Sequence, residues 1–196
     1  MLTRSRSHAV ALARFADLDE QRKTDVEDGA RSTVIFTRFD AYVETLHHNA
    51  ALATMPAITP ADVEPRGSTA LYDAIGESLS KTAALVNELA TTPSVCVFIL
   101  TDGKENASQV WNKASVTKEI SKLQSAHDWD FYFAAANQDA MKEGAALGMD
   151  RENCLNFKMK QGKMAYAMQH TNQAFQRKKK GFGKGYTRAE RLEAEE

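Results

Sequence analysis

The chain has 196 residues, 43% hydrophobic and 26% charged, which is enough for one substantial core and too little for two. A formal net charge of −1 excludes a global electrostatic pull toward nucleic acid or an anionic membrane, so any such affinity must come from a local patch. The two cysteines, Cys96 and Cys154, lie far apart and exclude a disulfide framework or a paired zinc spacing. No run approaches the roughly 20 apolar residues that span a bilayer, and residues 1–7 lack a secretory apolar stretch, so the sequence predicts a soluble, cytoplasmic protein with no membrane partner.

In chain order, Val10, Leu12, Phe15 and Leu18 alternate with Arg14, Asp17 and Glu20 at helical spacing, which predicts an amphipathic helix ending near Lys23. Residues 32–39 are rich in β-branched and aromatic side chains and predict a strand, with residues 40–46 as its hairpin partner. Pro56, Pro60 and Pro65 place a connecting loop over residues 47–66. The adjacent His47 and His48 fall at its start and are assigned no chemistry. Leu71, Ile75, Leu79, Val86 and Leu89 line one face of a helix over residues 70–90, which Pro93 stops.

Residues 94–100 are continuously apolar, the pattern of a strand covered on both faces in the middle of a parallel sheet. A polar loop over 101–108 leads to a helix over 115–127, then a strand over 129–136. A short helix over 138–147, a small edge strand over 154–157 and a last helix over 164–177 follow. Strands separated by helices favour a parallel, helix-covered sheet, because parallel neighbours need crossover connections. The charged, glycine-containing residues 178–196 predict a flexible tail beyond a domain of residues 1–177.

Ligands of open α/β sheets bind beyond the carboxyl ends of the strands, and Asp102 directly follows the most apolar strand. Ser68 and Thr69 place hydroxyls at the start of the long helix, which should begin at the same sheet edge. A hydroxyl and a carboxylate converging there are hard oxygen donors of the kind Mg²⁺ prefers. The ordinary alternative makes Thr69 a helix N-cap, Asp102 a turn residue and Asp73 a partner of the helix dipole.

The stretches Gly67-Ser-Thr-Ala-Leu-Tyr-Asp-Ala-Ile75 and Phe98-Ile-Leu-Thr-Asp-Gly-Lys-Glu-Asn-Ala-Ser108 resemble two parts of the metal-ion-dependent adhesion site of von Willebrand factor A (VWA) domains of the small bacterial and phage type. Glu20-Gln21, residues 36–40 and residues 135–139 extend the resemblance over roughly residues 10–177. It implies a doubly wound, mostly parallel Rossmann-like sheet with helices on both faces. It also implies Mg²⁺ or Mn²⁺ held by Thr69 and Asp102, with Ser68, Gly103, Lys104, Glu105 and Asn106 around an acidic group of a partner protein. The family's Asp-x-Ser-x-Ser loop has only a weak counterpart here, Ser5 and Ser7 in Thr3-Arg-Ser-Arg-Ser7. The resemblance therefore implies that the first strand and loop are missing, through a misplaced start or degeneration, which weakens metal binding and opens a route to strand-exchanged oligomers.

No nucleophile elbow, phosphate loop or paired zinc ligands point to catalysis, so the sequence predicts a non-enzymatic protein–protein interaction module. The alternative is a nucleic-acid-associated phage or bacterial protein whose tail, through Lys178, Lys179, Lys180 and Lys184, contacts phosphates.

Overall fold

The structure is a computed structural model and describes residues 31–56, 67–136, 139–158, 160, 163–183 and 185–196. The expected first helix, Ser5, Ser7 and Lys184 lie outside the described residues. Strands β1 (Thr33–Phe39) and β2 (Val43–Ala51) form an antiparallel hairpin, as the β-branched and aromatic content of residues 32–39 predicts. β2 runs five residues past the expected end at 46, so His47 and His48 belong to a strand rather than to a loop. Two register shifts in β1 and a left-handed Asn49 (φ 54°) let the ladder continue to Thr33 and Ala51. His47 turns toward Phe36, with ring centroids 6.3 Å apart, while His48 is exposed, as neighbours on an extended strand must be.

Helix α1 (Leu71–Asn87) leads to β3 (Cys96–Thr101), helix α2 (Lys113–His127), β4 (Asp130–Ala136), helix α3 (Ala140–Ala146) and β5 (Cys154–Phe157). The three strands pair in parallel in the order β3-β4-β5. Every residue of β4 is buried, and its side chains alternate between two cores. Phe131, Phe133 and Ala135 meet Leu71, Ile75 and Leu79 of α1 and Val116, Ile120 and Leu123 of α2. Tyr132, Ala134 and Ala136 face Ala167, Met168 and Ala174 of helix α4 (Lys163–Lys179) and Ala194 of helix α5 (Arg188–Glu195).

The chain is thus α/β, with a three-stranded parallel sheet covered on both faces and a separate antiparallel pair. This corrects the expected fold in two respects. The strand order advances in a single direction, so a complete doubly wound sheet is not formed among the described residues. Among the described residues β4, not β3, is the middle strand of the parallel sheet; β3 stands at its edge, and Cys96 on it is exposed rather than buried.

The stretch expected as an unpacked tail is structured in its second half. Tyr186 and Ala194 enter the core, and Glu190 is 7% exposed. The Glu190 carboxylate accepts both guanidinium nitrogens of Arg177 at 2.9 Å, the Thr187 backbone N–H at 2.6 Å and contacts His170 Nδ1 at 2.9 Å. Burial alone would raise its pKa, but the Arg177, Thr187 and His170 hydrogen bonds outweigh that and bring it down to about 2. Composition misses this because the buried charge is compensated by Arg177 and His170, 13 and 20 residues away, in addition to the Thr187-Glu190 capping box. Among the described residues, no helix is long and apolar enough to cross a membrane.

Candidate functional site

The loop between β3 and α2, residues 102–112, folds back onto the start of α1 and brings both sequence-predicted metal ligands into one junction. Ala70, which precedes α1, caps nothing with its own side chain. The loop supplies the caps instead: the Glu105 carboxylate accepts Tyr72 N–H at 2.9 Å, and Ser108 Oγ accepts Asp73 N–H at 3.1 Å. These satisfy donors that every helix start leaves without an intrahelical partner. Thr69 is therefore not the N-cap. Its N–H donates to Asn106 Oδ1 at 2.8 Å and its carbonyl accepts Asn106 N–H at 3.0 Å, so Asn106 clamps Thr69 from both sides of the peptide.

Asp73 is the second anchor. Its carboxylate accepts the backbone N–H groups of Gln109 (2.7 Å), Val110 (3.0 Å) and Trp111 (2.6 Å), and its residue is 8% exposed. Burial opposes ionisation, yet these three donors hold the pKa below the ordinary carboxyl value. The role is larger than that of a dipole partner: one carboxylate fixes three consecutive amides of the loop. Trp111 then lies against Gly76, where a β-carbon would stand 2.0 Å from the indole. A glycine inside an otherwise regular helical pattern is the signal by which such a close approach can be read in sequence.

The roles of the expected contact residues separate on this geometry. Glu105 accepts Ala107 N–H (2.9 Å), Ser108 N–H (2.8 Å) and Ser108 Oγ–H (2.7 Å) besides Tyr72 N–H, so both of its oxygens are engaged in holding the loop. Asn106 is engaged likewise. Ser68 and Lys104 are exposed beside the junction. Thr101 Oγ accepts Gly103 N–H at 3.3 Å and donates to the Gly103 carbonyl at 3.0 Å, which sets the turn that carries Asp102 off the end of β3.

At the centre, Thr69 is 1% exposed and its hydroxyl oxygen has no hydrogen-bond partner among the described residues. A β-carbon on Gly103 would stand 2.5 Å from that oxygen, so the residue after Asp102 must be glycine for Thr69 to sit where it does. Asp102 is itself 5% exposed. A buried hydroxyl without a partner costs about 1–3 kcal/mol, which makes its retention a feature that needs a reason. Thr69 Oγ and the Asp102 carboxylate are hard donors. They fit a divalent cation that keeps several of its waters better than an all-protein cage. Among the described residues, no three His, Cys, Asp or Glu side chains gather as a metal cluster.

Away from this junction, the basic residues expected to meet nucleic acid are partly committed inside the fold. Lys178 bonds Asp130 at 2.5 Å and Asp128 at 3.4 Å, and Lys179 lies 5.8 Å from the centroid of the Phe175 ring. Lys180 is exposed. Cys154 is buried, and burial pushes its thiol up to about 12, so it is not a thiolate at neutral pH.

Compared with known proteins, the chain matches no family model, no curated protein and no solved structure.

Proposed function

We propose that the chain is a non-enzymatic interaction module whose binding surface is the junction of Thr69, Asp102 and Gly103, and that it engages an acidic group of a partner protein through a weakly held Mg²⁺ or Mn²⁺. The observation that carries this reading is the buried Thr69 hydroxyl, which has no hydrogen-bond partner among the described residues. The loop carboxylates Asp73 and Glu105 are engaged with backbone and side-chain donors. They shape the junction; Asp102, which follows β3 and precedes the Gly103 that packs on the Thr69 hydroxyl, is the carboxylate assigned to the cation on that position alone. With Thr69 it would supply two protein oxygens to a cation that keeps its remaining ligands as water. When bound, the cation supplies the positive charge that a partner carboxylate can join. Ser68 and Lys104, exposed at the rim, are positioned to contact that partner.

The test is isothermal titration calorimetry of Mg²⁺ and Mn²⁺ into the chain, repeated with Asp102→Ala. Saturable binding lost in the variant supports the reading. Flat titrations into the folded wild-type chain remove the cation from it. Nucleic-acid binding is not favoured as a second reading, because Lys178 is held by Asp130 and Arg177 by Glu190.

A further inference from the structure

The two sheets leave facing edges. β1 pairs only with β2 and β3 only with β4, so among the described residues each has one edge with no ladder partner. Both edges line a single groove of about 770 Å³, with α1 as its floor. Ile35 and Thr37 form one wall, residues 95–99 the other, and Ile75 and Leu79 lie beneath.

The two walls run in the same direction. Asp40, after the end of β1, accepts the Ala70 N–H at 2.6 Å, and Asn106, beyond the end of β3, bonds Thr69. Both carboxyl ends therefore meet the start of α1. At the opposite end, Thr33 and Cys96 line the groove together with Val86 and Leu89 from the end of α1.

β3 is unlike an ordinary edge. Natural edge strands carry lysine, proline, a bulge or a cover that blocks further pairing. Cys-Val-Phe-Ile-Leu-Thr holds no lysine or proline, it pairs with β4 in unbroken parallel register from Cys96 to Thr101, and among the described residues no strand pairs with its other edge. A continuous apolar run suits a strand with neighbours on both sides and helices on both faces. Here its first half is left open: Cys96 is exposed and Val97 and Phe98 are half-buried.

We infer that this groove is an acceptor for one extended segment of another polypeptide, which inserts between β1 and β3 and joins the two sheets into one. The chemistry selects the occupant. Two facing rows of backbone N–H and C=O groups are satisfied together by an extended peptide backbone, with neighbouring strands about 4.8 Å apart. α1 lines the groove with half-buried Leu85 and Val86 beside Ser78 and Thr82, and the opposite wall adds half-buried Val95 and Val97, so β-branched side chains, valine, isoleucine and threonine, suit alternate positions of the guest. The part of β3 that lines the groove, Cys96 to Ile99, together with Val95 just before it, sets the length at about five residues, or roughly 17 Å.

The experiment uses the full chain and a fluorescein-labelled peptide, Lys-Lys-Thr-Val-Ile-Val-Val-Thr-Lys-Lys. Its counterpart carries proline at two positions of the apolar run and cannot offer the same row of N–H donors. Binding is read by fluorescence anisotropy, and amide hydrogen exchange is followed at residues 33–37 and 95–99. The expected result is saturable binding of the first peptide, at least tenfold weaker binding of the proline peptide, and at least tenfold slower exchange at both edges on binding. Val97→Lys, which puts a charge into the wall, should weaken binding at least tenfold. Should that variant not fold, the comparison of the two peptides on the wild-type chain still decides.

Equal binding of both peptides, or slowed exchange at one edge or neither, overturns the inference. So does strong protection of both edges in the chain alone. If that protection grows with protein concentration, the occupant is a second copy of this chain. If it is independent of concentration, residues of this chain outside the described ones fill the groove.

Discussion

Replacing Asp73 tests whether the loop that carries Asp102 is held by one carboxylate. Its three acceptor bonds, at 2.7, 3.0 and 2.6 Å, come from consecutive amides and are charge-assisted. At about 1.5 kcal/mol net for each hydrogen bond to a charged group, Asp73→Ala would cost about 4–5 kcal/mol if no other acceptor came to the amides. Gln109 and Val110 are exposed, so water can reach two of the three amides once the carboxylate is gone, and the expected loss falls to about 2–3 kcal/mol. Asp73→Asn keeps one acceptor oxygen and should lose about 1–2 kcal/mol. The sign with pH follows from the lowered folded-state pKa: the contribution is fully present above the ordinary carboxyl value near 3.8 and is lost as pH falls through the folded value. Urea unfolding of wild type and Asp73→Asn from pH 7 to pH 2.5 measures this, because the difference between the two chains cancels other titrating carboxylates. The gap should be widest at pH 7 and narrow below about pH 4. A gap that stays constant over that range, or one below about 0.5 kcal/mol at pH 7, would refute the anchoring role assigned to the charge.

Two further outcomes follow from buried groups elsewhere. Thr69→Val removes a hydroxyl with no partner among the described residues, so the metal-free chain should gain up to about 1 kcal/mol in urea unfolding, while any shift in melting temperature caused by Mg²⁺ disappears. Destabilisation without metal would show that the hydroxyl has a partner beyond the described residues. Glu190, with its pKa lowered from 4.5 to about 2 against the opposing effect of burial, contributes stability that is complete above about pH 4.5 and lost between there and about pH 2, on the order of 3 kcal/mol. Comparing Glu190→Gln with wild type across that range, by urea unfolding at each pH, should show a difference that closes only toward pH 2.

The β/α alternation from residue 70 to residue 157 was legible because each element there carries its own pattern: a helical apolar stripe through Leu71, Ile75 and Leu79, and unbroken apolar runs in β3 and β4. The convergence of Thr69 and Asp102 was legible for the same reason, since a helix returning across a parallel sheet must start at the edge where the preceding strand ends. What holds the junction was not. Asp73, Glu105 and Asn106 act through backbone amides 33–38 residues away in sequence, and a backbone donor has no residue type to recognise. α5 was hidden by composition, because Arg191 and Glu190 look like surface charges. In the structure Arg191 donates to the Cys154 carbonyl at 2.5 Å and Glu190 is closed by Arg177. Long-range compensation of charge is invisible to a local window.

β3 shows a different relation between pattern and fold. A strand's apolar pattern records the burial its faces require, not which segment provides it. Where a strand patterned for the centre of a sheet stands at an edge, the pattern states a requirement that the described residues do not meet. Poor β-propensity cannot account for the mismatch, because β3 keeps regular parallel register with β4 along all six residues. It is not a general failure of burial either, because Ile99 and Leu100 at the far end of the same strand are 2% and 0% exposed. The shortfall is confined to the first half of β3, where exposed Cys96 and half-buried Val97 and Phe98 line the groove. An extended backbone placed there would cover that half and pair both edges, whereas side chains reaching in from a helix would cover the apolar surface and leave the two rows of amides unpaired. The position of the shortfall therefore bears on the kind of occupant as well as on the need for one.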